Sequence, residues 1–292
     1  MEYQVLKRGT SAFPKRLLDR LGKDAPAQLY YHGQLGLLNR FTMAVACADS
    51  IDGQGLNETN QLLFTIREYD LNYIGGWHSI METEIFRLGL YRSNLTVALF
   101  TAKGLGHETF ESFLRDRFFP PFDDFPERDE YFRRVESDEL LVLSLVEPEL
   151  PRTLRRNAIE RNWVSCALSD VVFIPYGPKG SKTYRLARRI KDAGWPVFTL
   201  EHALAADLHE LGIPGFSRKS VGEFLNGLGA KEAAPEQRNV ARTSRKGFPE
   251  LSTPGPRRNV QGKIPFASDK LPAQPASARP QKEKPAREEH KN

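Results

Sequence analysis

"DVVFIPYGPKGSKTYRLARRIKDAGWPVFTL", Asp170 to Leu200, holds an apolar run, a glycine-rich turn, a run with apolar residues at helical spacing, and a second apolar run. Short apolar runs of this length read as buried strands, and an amphipathic run between two of them reads as a crossover helix. The pattern repeats back to Thr42. The runs "TMAVAC", "LNYIGG", "LTVALF" and "LLVLSLV" are separated by "LNETNQLLFTIREYD", "SIMETEIFRLGL" and "GHETFESFLRDRFF", and "PRTLRRNAIERNWVSCAL" leads into "DVVFIPY". Strands without polar alternation need cover on both faces, which a parallel sheet with helices on each side provides. The expected fold is therefore α/β, a doubly wound, Rossmann-like, mostly parallel sheet. Ligands of such sheets gather at the carboxyl ends of the strands, so the loops of interest are "ADSIDGQG", "GGWHS", "TAKGLG" and "GPKGSK".

The last loop resembles a P-loop and is not one. A Walker A loop reads G-x-x-x-x-G-K-[ST]; here Ser181 precedes Lys182-Thr183 and Tyr176 takes the place of the first glycine. What remains is a lysine-bearing turn ahead of a helix, which suits an anion because helix N-termini present free N–H groups.

The chain of 292 residues is 40% hydrophobic, enough for a substantial core. No apolar run approaches the roughly 20 residues of a membrane span. The start, "MEYQVLKRGTSAFPKRLL", lacks a signal-peptide core, so a cytoplasmic protein without membrane partners is expected. Cys47 and Cys166 read as buried free thiols. The formal charge of +5 is unevenly placed: from Lys231 onward 14 Lys/Arg face 7 Asp/Glu, which leaves residues 1–230 at −2. The expected domains are an N-terminal helical and extended lead-in (1–41), the Rossmann-like domain (42–229) and a Pro-rich basic tail (230–292). The tail's composition predicts disorder, either as a solvated terminus or as a tether to a polyanion.

Several phrases together resemble the DNA-processing protein A family (DprA, or Smf). They are "AFPKRLLDRLGKDAPAQLYYHGQLGLL", "YIGGWHSIMETEIFRLGL", "LTVALFTAKGL" and "RNWVSCALSDVVFIPYGPKGSK". The family's P-x-x-L-Y-x-x-G is matched by Pro26, Leu29, Tyr30 and Gly33. Its S-G-x-A-x-G-I-D loop falls on Gly75 to Glu82, with Gly76 kept and Glu82 in place of the Asp. Its R-N-R-x-I-x-x-L-S falls on Arg161, Asn162, Trp163, Ser165 and Leu168-Ser169, and its S-G-S on Lys179, Gly180 and Ser181. The sequence reads as a divergent member: "CADS", Cys47 to Ser50, stands where the family has G-S-R, and Pro175 replaces an acidic residue.

The resemblance implies single-stranded DNA binding, help in loading a RecA-type recombinase during natural transformation and DNA recombination, and a homodimer. It implies no catalytic residue, metal or cofactor. The residue chemistry points to the same kind of ligand, with glycine-rich turns and Arg161, Lys179 and Lys182 as counter-charge. The candidate phosphate-binding set is Gly75, Gly76, His78, Arg161, Asn162, Lys179, Gly180, Ser181, Lys182 and Thr183. Each has a plainer reading as a tight turn or a solvated helix face. Trp77, Tyr176 and Trp163 are the candidates for base stacking. The acidic loop with Asp123, Asp124, Glu127, Asp129 and Glu130 reads as solvated. A nucleotide sensor or hydrolase of the phosphoribohydrolase type is the alternative, although the P-G-G-x-G-T-x-x-E loop of those enzymes has no counterpart in "YGPKGSKTYRL".

Overall fold

The computed structural model describes residues 1–117 and 127–235. Asp123, Asp124 and the tail beyond residue 235 lie outside the described residues. The strands are β1 (Gln4–Lys7), β2 (Gln28–Gly33), β3 (Thr42–Val45), β4 (Leu71–Gly75), β5 (Leu95–Thr101), β6 (Leu141–Ser144), β7 (Val171–Phe173), β8 (Val197–Leu200) and β9 (Gly215–Phe216). The helices are α1 (Lys15–Leu21), α2 (Gly53–Ile66), α3 (Ile80–Leu90), α4 (Phe110–Arg117), α5 (Arg128–Glu136), α6 (Arg155–Leu168), α7 (Lys182–Asp192), α8 (Ala206–Glu210) and α9 (Val221–Gly227).

Among the described residues the strands form one sheet in the order β1-β2-β6-β5-β4-β3-β7-β8-β9. Strands β3 to β9 pair in parallel. The chain winds from β3 out to β6, then returns to β7 on the other side of β3. This reversal puts the topological switch point at the carboxyl ends of β3 and β7, the crevice position at which doubly wound sheets take ligands. The lead-in is part of the same sheet: β1 pairs antiparallel with β2, and β2 with β6.

Side chains alternate across the sheet as the two-residue period of a strand requires. Met43, Tyr73, Leu99 and Phe173 face one apolar cluster, with Leu62 and Ile66 of α2 and Ile85 and Phe86 of α3. Ala44, Ile74, Phe100 and Val172 face the other, with Leu17 of α1, Val164 of α6 and Ala187 and Ile190 of α7. The sheet is thus covered on both faces, which is why its strands carry no polar alternation. Past α9 the chain stays hydrogen-bonded to this body: Asp70 N–H donates to Lys231 O and Ala233 N–H to Glu68 O, both at 2.8 Å. No helix among the described residues is long and apolar enough to cross a membrane.

Candidate nucleic-acid interface

Three of the helices that follow strands at the carboxyl edge of the sheet have starts capped by a side chain. Asp52 accepts from Gly55 N–H at α2, Ser79 from Glu82 N–H at α3, and Ser181 from Tyr184 N–H at α7. Such caps settle one of the free N–H groups of a first turn and leave others for a ligand.

Glu82 ties two loops together. Its carboxylate accepts from Cys47 N–H (3.0 Å) after β3 and from His78 N–H (2.9 Å) after β4. Burial raises its pKa above the ordinary 4.5, against the opposing pull of these N–H groups and the Arg161 charge. The sequence signal for this role is Ser79-x-x-Glu82, a capping-box pattern in which the glutamate turns back over the helix start.

Arg161 is buried at 2% exposure beneath the β4 loop. Its Nη1 donates to Phe100 O (2.7 Å) and lies 3.4 Å from His78 Nε2. The guanidinium fills the space beside Gly76: a Cβ there would lie closer than 3.0 Å to Arg161 Cζ, Nη1 and Nη2. Gly76 is therefore an approach glycine for a protein side chain, and Gly75 is the buried last residue of β4. His78 is exposed above them and Asn162 is half-exposed.

Trp77 corrects its reading as a stacking platform. With φ of +58° it turns back under the loop, its side chain is fully buried, and its Nε1 donates to Ala98 O (3.2 Å). Trp163 is half-buried and stacked on Trp195, and Tyr176 is half-buried against the α2–α3 side of the core.

In the last loop the two lysines differ. Lys179 is exposed but engaged: its Nζ bonds Glu210, Asp207 Oδ1 is 3.8 Å away, and its backbone N–H donates to Asp207 Oδ2 (2.8 Å). The Glu210 contact raises its pKa. Lys182 is exposed, and among the described residues it has no carboxylate in ion-pair range. Gly180 has φ of +83° with open space where a Cβ would point, which favours glycine and lets a ligand approach the backbone. Ser181 spends its hydroxyl on the cap, and Thr183 is half-buried beside Gly177. Asp207 and Glu210 on α8 were not legible as partners of this loop, because the contact joins segments 28 and 31 residues apart.

The two cysteines are buried and reduced, and burial pushes the Cys166 thiol up to about 12 and the Cys47 thiol higher still. Two clefts lie apart from the predicted residues. One of about 360 Å³ lies between α2 and α3 at Phe64, Arg67, Leu88 and Tyr91; one of about 400 Å³ lies between α2 and the β8–β9 ends at Glu58, His202 and Arg218.

No protein-family model matches the chain, and no curated protein matches it. The solved structures similar to it include two DNA processing proteins. DNA processing protein A (DprA) from Streptococcus pneumoniae superposes with a TM-score of 0.60 at 19% identity, over 78% of this chain and 74% of that one. DNA processing protein A from Helicobacter pylori, described for its single-stranded DNA binding mode, gives 0.57 at 20% identity, over 78% of this chain and 97% of that one. The chain has the fold of the DprA proteins.

Proposed function

We propose that the chain is a divergent DprA-like protein that binds single-stranded DNA through the loops ending β3, β4 and β7, holding the phosphate backbone without reading bases. The observation that carries this reading is the start of α7 at the sheet reversal, where Gly180, with open space at its Cβ position, exposed Lys182 and first-turn N–H groups stand together. Lys182 supplies a mobile point charge, and the first turn of α7 supplies N–H donors aligned with the helix dipole. His78 sits on the β4 loop, steadied by Glu82 through its backbone and by Arg161 beside its ring. Arg161 acts on this reading as a buried positioning residue, and Lys179 becomes a ligand when phosphate displaces Glu210. The fold shared with two DprA proteins supports the same assignment; a RecA-type recombinase partner and a homodimer would follow from that reading.

The test is fluorescence anisotropy with single- and double-stranded oligonucleotides at two salt concentrations, on the full chain and on a chain ending at Pro235. Binding to the single strand that survives truncation and weakens steeply with salt is expected. Lys182→Gln should lower affinity and flatten the salt slope by about 0.7, the share of one single-strand phosphate contact. Binding of mononucleotides with none of oligonucleotides would replace this reading with the nucleotide-sensor one.

A further inference from the structure

The charge of the folded body is concentrated on two helices. Helices α6 and α7 together hold eight basic and two acidic residues, a net of +6, although residues 1–230 as a whole carry −2. Both pack on the same face of the sheet, α6 following the carboxyl end of β6 and α7 that of β7. Arg155 and Arg156 at the start of α6, and Lys182, Arg185, Arg188 and Arg189 along α7, are exposed.

Among the described residues none of these six has a carboxylate in ion-pair range, whereas seven arginines elsewhere on the body are paired. A face that served only as a solvated surface would be expected to mix signs, as α5 does with Glu130, Arg133 and Arg134.

The lower end of the stripe is built rather than loose. The Arg189 guanidinium lies 3.6 Å from the Trp163 ring centroid, Trp163 stacks on Trp195 at 4.2 Å, and Arg20 covers Trp195 at 5.0 Å. Stacking uses the face of a guanidinium and leaves its N–H groups in the plane, where they can fork onto phosphate oxygens. Arg185 is likewise tethered, donating to Gly180 O (2.9 Å), and Arg188 lies over the Tyr184 ring. Ordered guanidinium groups lose less freedom on binding than free side chains.

We propose that the exposed face of α7, with Arg155 and Arg156 of α6, is a second backbone-binding track that leads a nucleic-acid strand away from the crevice between β3 and β7. The track rests on the DNA-binding reading above and extends it to a surface outside the sheet-end loops. From Lys182 to Arg189 it runs about 10 Å at the helical rise, roughly three phosphates at the 3.4 Å spacing of a stacked strand.

The test compares the full chain with Arg185→Gln/Arg188→Gln/Arg189→Gln and, independently, Arg155→Gln/Arg156→Gln, each checked for an unchanged thermal melt. Oligothymidines of about 6 and about 20 nucleotides separate a strand confined to one site from one long enough to leave it. For the long strand the triple variant should bind at least tenfold more weakly at low salt. Its log affinity against log salt should be flatter by about 2, three contacts at about 0.7 each. The short strand should change by less than threefold. Long-strand affinity and slope unchanged in both variants, while Lys182→Gln still weakens short-strand binding, would overturn the track and leave the crevice reading standing. Equal losses on short and long strands would also overturn it, by placing these arginines in the crevice itself. A full chain that binds neither strand would overturn both.

Discussion

Replacing Gly76 with alanine puts a methyl group into the space held by the Arg161 guanidinium. The backbone at Gly76 is not left-handed, so the cost comes from the contact alone. Non-bonded carbon contacts settle at about 3.5–4.0 Å, so a guanidinium now closer than 3.0 Å to that position must retreat by roughly 1 Å. That movement takes Arg161 Nη1 out of reach of Phe100 O, now at 2.7 Å. Losing a buried hydrogen bond from a charged group costs about 1.5–3 kcal/mol. A stiffer unfolded chain returns about 0.4–1 kcal/mol, for a net loss of about 0.5–2.6 kcal/mol. In an Arg161→Ala background the clash is gone, so the same alanine should be neutral or slightly stabilising. Equilibrium urea unfolding of the wild type, both single variants and the double variant gives the coupling directly, and about 1.5–3 kcal/mol is expected. Additive single effects would refute the idea that Gly76 is reserved for Arg161.

Three further outcomes follow from the same geometry. Because burial raises the Glu82 carboxyl above 4.5 in the folded chain, the folded state holds its proton more tightly than the unfolded one. The stability difference between wild type and Glu82→Gln should therefore fall as pH rises from about 4.5 through the folded value, then level off; urea melts across that range showing a rise would contradict it. Asp207→Asn/Glu210→Gln should free Lys179 and strengthen oligonucleotide binding severalfold in anisotropy titrations, and Lys179→Gln alone should weaken binding less than Lys182→Gln, since Lys179 starts in an ion pair. Ser181→Ala removes the acceptor of Tyr184 N–H and should lower stability by about 1 kcal/mol in the same melts.

The paired lysine and the unpaired one give the last loop two levels of readiness. On the DNA-binding reading, a phosphate arriving at Lys182 would meet an exposed ammonium at once, while at Lys179 it would compete with Glu210 and Asp207. Exposed pairs of this kind are worth little and yield to salt, so the competition should shrink as ionic strength rises.

The sheet and its helices were legible in the sequence because their signals are local. "TMAVAC", "LTVALF" and "DVVFIPY" are buried on both sides and show it by carrying no polar alternation, and the runs between them carry the helical period. β1, four residues long, β9, two, and α8, five, are too short to show a period and were missed, and Glu127, Asp129 and Glu130, read as part of a solvated loop, instead open α5, with Glu127 buried against Arg87. The loops that gather at the sheet edge were also legible, since winding order alone sends them there. What the sequence could not decide was which of their charges face a ligand. Arg161 and Lys179 read alike as exposed cations, yet one is drawn under Gly76 onto Phe100 O and the other is held by α8. Trp77 likewise read as a surface aromatic until its left-handed backbone turned it inward. These outcomes depend on contacts between residues 21 to 83 positions apart, such as Trp77 with Ala98 and Arg161 with His78. Periodicity reports a residue's own element, whereas burial and pairing of a charge are set by whichever distant element the tertiary fold packs against it.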